Sequence, residues 1–159
     1  MKNASDSDTH PINIAVNIPT LQELINEQNK QEYPYPSSPK QLQHVIDLLT
    51  EIPEFYIYSI QREWTPDFEI PYSVYWKLSD YIWDLYKEKN DDDIKKVLIY
   101  LDERLTFFFK TNDQYGVDLV RIGVLENFDR LTDLKDIIPL MPDWLRKDFI
   151  ESFPQYIHK

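Results

Sequence analysis

The chain has no cysteine, two glycines (Gly116 and Gly123) and three histidines, His10, His44 and His158, spaced far apart. Without a thiol there is neither a disulfide nor a thiolate metal site, and the composition fits a reducing compartment. A phosphate cradle needs glycines that let backbone N–H groups approach the anion. Two glycines inside or beside helical segments do not supply one. No apolar run approaches the roughly 18 to 20 residues of a membrane span, and Met1–Asp6 carries no apolar signal core. These features lead us to expect a cytoplasmic protein with no membrane partner, no cofactor and no metal.

Charge and aromatic content are plentiful instead. Across 159 residues, 28 acidic side chains face 17 basic ones, a formal net charge of -11. Such a field attracts cationic partners and repels nucleic acid. Hydrophobic residues make up 42% of the chain and aromatic residues 14%, enough for one domain with a real core. Aromatic side chains serve cores and interfaces alike, so their excess does not choose between the two.

Periodicity predicts an all-α fold, an antiparallel helical bundle or a short helical-repeat stack with an extended N-terminal arm. The arm spans residues 1–38. It has a polar, fraying start and a period-two stretch at 12–18 (Ile12, Ile14, Val16, Ile18) with the pattern of a strand. A short helix over 20–31 follows, opened by the capping box Thr20–Glu23. Tyr33–Pro39 is a proline-rich connector. The helical domain, 39–159, opens on a second capping box, Ser38 with Gln41. Residues 54–64 have mixed helix and strand character and are assigned to a helix. Residues 65–72, with Pro66 and Pro71, are assigned to a loop. Val74, Leu78, Tyr81, Ile82 and Leu85 form one amphipathic stripe, and Ile94, Val97, Leu98, Leu101, Leu105 and Phe108 another. Asn112 is expected to cap a helix running to about Phe128, with Tyr115, Leu119 and Ile122 on one face. Gly123 in its middle costs about 1 kcal/mol of propensity and predicts close approach of a neighbouring helix. A short helix ended by Pro139 and a last one opened by Pro142 complete the chain.

Catalytic signatures are weak. His44 and Asp47, one turn apart, read as a solvated pair rather than metal ligands. Ser59, Ser73 and Ser79 sit in no nucleophile elbow and have structural explanations. Paired carboxylates such as Glu126 with Asp129 could perform acid–base work or bind Mg2+, but in so acidic a chain chance pairing is expected. Asp91-Asp92-Asp93 suits a helix start, although one aspartate suffices for that. The chain therefore reads as a binding protein, not an enzyme.

Four stretches carry a resemblance: Ile52-Pro53-Glu54-Phe55, Trp76-Lys77-Leu78-Ser79-Asp80-Tyr81, Gly123-Val124-Leu125-Glu126-Asn127-Phe128, and the closing segment from Pro142 to Phe153. Between about Leu42 and Tyr156 the chain resembles a family of small all-helical bacterial proteins, a domain of unknown function. Members of that family recur beside polymorphic and contact-dependent toxins as candidate immunity proteins. Residues 1–38 lie outside it. The resemblance implies toxin neutralisation and brings no active-site residues with it.

The expectation is thus an immunity protein that binds one cognate bacterial toxin, a basic protein with nucleases among the candidates, through an acidic surface flanked by aromatics. The predicted partner-binding residues are Asp91, Asp92, Asp93, Glu126, Asp129 and Asp133, with Trp64 and Tyr72 from the proline-bounded loop. Two other classes were weighed. A nucleic-acid mimic would need regular rows of carboxylates, which Lys77, Lys95, Lys96, Arg121 and Lys135 interrupt. A small metal-dependent hydrolase would use acidic clusters such as Glu126 with Asp129.

Overall fold

A computed structural model describes residues 17–32, 34–64, 68–131 and 133–157, and the regular structure among them is helical throughout. The first helix, α1 (Leu21–Lys30), begins at the predicted capping box: Glu23 N–H donates to Thr20 Oγ1 at 3.1 Å, and Thr20 N–H donates to Glu23 Oε1 at 2.9 Å. α2 (Pro39–Glu51) repeats the motif with Ser38 and Gln41. Between them Gln28 is buried and grips Ser37, donating to its carbonyl at 2.9 Å and accepting from its N–H at 2.7 Å. That clasp folds the described part of the arm back onto the body, where Leu24 joins the core. Of the predicted strand at 12–18, residues 12–16 lie outside the described residues. Asn17 has no regular structure, and its carbonyl accepts from the Tyr56 hydroxyl at 2.8 Å.

Of residues 54–64, assigned to a helix, 54–61 lie in α3 (Pro53–Gln61), which ends before Glu63 turns to positive φ. α4 (Pro71–Lys87) starts earlier than expected, because Pro71 occupies the first helical position, where its fixed φ and missing N–H cost nothing. Tyr72 therefore stands in the first turn of α4 and not in a loop. The predicted stripes of α4 and of α5 (Asp91–Lys110) are buried throughout.

With so few glycines, the chain ends its helices on other residues. Glu32, Glu63, Lys89 and Asn112 all have positive φ, between 51° and 58°, just past α1, α3, α4 and α5. At Asn112 the paired bonds of a Schellman turn are present, Asp113 N–H to Phe108 O at 2.8 Å and Asn112 N–H to Phe109 O at 3.3 Å. Asn112 is thus the left-handed residue that closes α5 rather than the cap of the next helix. Asp113 takes the capping role for α6 (Gln114–Asp118), accepting from Gly116 N–H at 3.0 Å.

The expected single helix from 112 to 128 changes register three times. α6 passes into a π-helical stretch, Leu119–Val124, then a 3-10 turn, Leu125–Asn127, then α7 (Phe128–Leu131). The predicted close approach lies at its centre: a Cβ on Gly123 would stand 2.9 Å from Tyr75 Cβ. Ser79 Oγ donates to the Gly123 carbonyl at 3.2 Å and Asn127 Nδ2 donates to it at 3.0 Å, so the displaced π-helical carbonyl stays satisfied in the core. The wider turn also rotates Ile122 outward, 47% exposed and off the face predicted for it with Leu119.

α8 (Leu134–Ile137) continues into a 3-10 turn, Ile138–Leu140, that accommodates Pro139. α9 (Asp143–Ser152) has no capping side chain of its own. Asp102 on α5 supplies one, accepting from Leu145 N–H at 2.9 Å. α10 (Pro154–Ile157) closes the described chain. α4 is central, packing against α2, α3, α5 and the π-helical stretch, while α9 and the turn after α8 cover α5.

His44 corrects another expectation. It is 4% exposed and donates or accepts at 2.9 Å with Asp113 Oδ2, its ring edge-on to Phe108 and stacked on Tyr115. It ties α2 to α6 inside the core, where a one-turn pairing with Asp47 had suggested a solvated face. Burial pushes the His44 imidazole below its usual pKa and outweighs the pull of Asp113. Burial pushes Asp113 up, but the Gly116 N–H, His44 and Lys40 together hold it below the ordinary carboxylate range. The pair is therefore neutral imidazole with carboxylate, Nε2–H donating.

Three outcomes follow from this packing. Gly123→Ala drives a methyl group into Tyr75 and should cost about 1–3 kcal/mol, read as a lower melting temperature. Lys89→Gly removes a side chain from a left-handed position and should stabilise by about 1 kcal/mol in denaturant unfolding. The unfolded chain protonates His44 near the ordinary imidazole pKa of about 6.5, whereas the folded chain does so only at lower pH. The stabilisation is thus complete above about pH 6.5 and lost as pH falls below it. Thermal melts from pH 7.5 to 5 should show that decline, and His44→Gln should flatten it.

Candidate partner-binding surface

Five of the eight predicted site residues, Asp91, Asp129, Asp133, Trp64 and Tyr72, line three grooves. Asp129, next to the start of α7, and Asp133, the cap of α8, line one groove together with Leu134, Lys135, Ile138, Pro139, Tyr156 and Ile157, with a cavity volume of about 570 Å³. Asp133 is held by its capping bond, Oδ1 accepting from Lys135 N–H at 3.0 Å. Tyr156 on α10 is fixed by its hydroxyl, which donates to the Glu126 carbonyl at 3.0 Å.

Lys135 and Pro139 also border a second groove of about 620 Å³, where Asp91 meets Tyr86, Lys87, Lys89 and Asp136. The Tyr86 hydroxyl donates to Asp136 Oδ2 at 2.9 Å. Asp92 is exposed, and Asp93 accepts from the Asn90 side-chain amide at 2.9 Å, within a cap in which Asn90 receives the Asp93 N–H. Neither lines the two grooves just described. The capping that the sequence assigned to one aspartate is done by Asn90, leaving Asp91 and Asp92 at the surface.

Trp64 and Tyr72 share a third groove, about 460 Å³, with Ser73, Trp76, Lys77 and Asp80. Trp64 stands edge-on to Tyr58 at 5.5 Å, and Lys77 Nζ lies 5.4 Å from its ring. Tyr72 is edge-on to Tyr115 at 5.4 Å. Burial first, and the neighbouring Asp84 second, push the Asp80 carboxyl above its ordinary range. The Arg130 guanidinium, one residue from Asp129, lies 5.6 Å from the Trp76 ring and so joins the aromatic groove to the acidic one.

The structure thus brings Asp129 and Asp133 together, sets Asp91 beside them, and pairs Trp64 with Tyr72. Glu126 is exposed nearby, on the segment that anchors Tyr156. Sequence reasoning missed two members of the surface as site residues. Trp76 is 51% exposed, and its spacing from Tyr72 and Asp80, one turn to either side, was the signal. Tyr156 had no local signal, because its position depends on the fold of the central segment. Two cations pair away from these grooves, Lys96 with Glu54 at 2.9 Å and Arg104 with Asp47 at 3.3 Å, whereas Lys77, Lys87, Lys89 and Lys135 line them.

Among the described residues no group of three or more His, Asp or Glu is placed to hold a metal ion, and no helix is long and apolar enough to cross a membrane. Ser59 and Ser79 bond to backbone carbonyls in the core. Chemically, the surface offers carboxylates above apolar lining and half-exposed indole and phenol rings, groups that suit recognition of a cationic and apolar macromolecular surface.

No curated protein and no solved structure matches the chain. A family model described as "Domain of unknown function (DUF7674)" matches residues 45–158, from the middle of α2 to the residue after α10. That match covers most of the chain, and the protein belongs to this family.

Proposed function

We propose that the protein is an immunity protein, acting by stoichiometric binding to a basic toxin and not by a reaction of its own. The observation that carries the reading is the clustering of Asp91, Asp129 and Asp133 around two adjoining grooves beside the Trp64–Tyr72–Trp76 groove. Three further points support it: the net charge of -11, the ion pairs that engage two cations away from these grooves, and the resemblance to candidate immunity proteins. Electrostatic attraction would speed encounter with a cationic cleft, and buried aromatic anchors would slow release. The mimic of nucleic acid is disfavoured, because Lys135 and Arg130 interrupt the carboxylates along this surface.

Co-expression with the product of the adjacent upstream gene tests the proposal. The expected result is suppressed toxicity, a co-purifying one-to-one complex, and an association rate that falls about ten-fold or more from low to high salt. Undiminished toxicity without co-purification overturns it.

A further inference from the structure

We propose that the groove between α7, α8 and α10 is the docking site for a partner segment that presents an apolar side chain flanked by an arginine or lysine. This rests on the partner-binding reading above and names the chemistry the site selects. The lining pairs two kinds of surface. Leu134, Ile138, Pro139, Tyr156 and Ile157 supply the apolar part, and Asp129 and Asp133 supply carboxylates beside Lys135, the one cation among the described lining residues. A volume of about 570 Å³ holds one or two large side chains and lies within the range of ligand pockets.

The groove is preformed. Leu134, Ile138, Tyr156 and Ile157 pack against the core from one side, the Tyr156 ring stacks on Phe153 at 5.2 Å, and the Asp133 carboxylate is locked as a helix cap. Little order is therefore left to impose on binding, which favours an apolar anchor. Charge selects what accompanies that anchor. The adjoining groove sets Asp91 and Asp136 against Lys89, Lys135 and Lys87, the last paired with Asp84 at 3.0 Å, so the selection rests on the carboxylates between α7, α8 and α10. On a chain of net charge -11, a phosphate or carboxylate brought here meets like charge, whereas a guanidinium or ammonium meets carboxylates. Nucleic acid and anionic lipid surfaces are thus the wrong chemistry for this groove, and a basic, apolar-tipped protein segment is the right one.

Short peptides probe this directly on the full chain. In 1H–15N spectra, acetyl-Leu-Arg-amide should shift the amides of residues 133–138 and 156–157 saturably. Acetyl-Leu-Glu-amide and acetyl-Gly-Arg-amide should each bind at least about three-fold more weakly, the first for its charge and the second for its missing anchor. The double variant Asp129→Lys/Asp133→Lys, checked for native amide dispersion, should lose the preference for arginine over glutamate, and Lys135→Glu should strengthen it. Absence of shifts at these residues, or equal binding of the arginine and glutamate peptides, overturns the proposal. The probes contain no toxin, so this outcome is separate from that of co-expression. Neutralisation with a silent groove removes the docking site and leaves the immunity role. A selective groove without neutralisation does the reverse.

Discussion

α4 and the π-helical stretch approach so closely that the residue opposite Tyr75 must be glycine, since any Cβ there would sit 2.9 Å from the Tyr75 Cβ. That contact sets the height at which the central segment crosses α4, and other placements follow from it. Ser79, one turn along α4, reaches the Gly123 carbonyl, and Asn127 reaches it from the other direction. A close approach of apolar helices would be costly if it stranded the extra carbonyl of a π turn, so the two polar side chains are a condition of the packing. Asn127 also accepts from Arg130, whose guanidinium lies near the exposed ring of Trp76. Tyr75, on the buried side of the same helix turn, donates to the His44 carbonyl at 3.3 Å and so couples the seam to α2. One glycine thus positions core and surface on both sides of α4.

The charged residues divide into two populations. One is consumed in holding the fold. Asp102 caps α9, Asp113 caps α6 and holds His44, and Asp148 forks with Arg121 through Nε at 3.1 Å. These groups are buried or half-buried, and removing either partner would leave a polar atom without compensation. The other population sits on helix starts and turns, where Asp91, Asp92, Asp133 and Glu126 remain exposed. Because several basic residues are drawn into the first population, the net charge is expressed chiefly by the second. In the grooves themselves these acids stand beside lysines, Asp129 and Asp133 with Lys135, and Asp91 and Asp136 with Lys87, Lys89 and Lys135.

Much of the helical framework was readable from local rules. Both capping boxes and the apolar stripes of α4 and α5 depend only on residues within a turn or two of each other. The close approach at Gly123 was readable as well, because glycine inside a helix has few other reasons to be there. Long-range geometry was not. The register changes after Asp118 answer to Tyr75 and Ser79, more than forty positions away in sequence. His44 was misread for the same reason, since its partner Asp113 lies 69 positions along the chain. Asparagine suits a helix cap, but it also tolerates the left-handed conformation, and at Asn112 it ends α5. Among the site residues, Asp129 with Asp133 and Trp64 with Tyr72 were close in sequence and proved close in space. Tyr156 came to the same groove only through the tertiary fold.

The surface so formed favours recognition by a rigid face over recognition by adaptation. Its carboxylates stand on helices or on their caps, and the rings of Tyr72, Trp76 and Tyr156 stand on α4 and α10. A rigid face loses little conformational entropy when a partner arrives, so a modest set of contacts can yield tight binding. It also cannot reshape itself to a different partner, which makes discrimination a matter of charge and shape already in place. The mixed lining around Asp129, Asp133 and Lys135 bears on this point. A uniformly acidic groove would accept any cation, whereas an ammonium sharing the groove with the carboxylates restricts where a partner's positive charge can sit. Such a restriction is worth little for affinity and much for selectivity, as a protein meeting one basic partner among many would require.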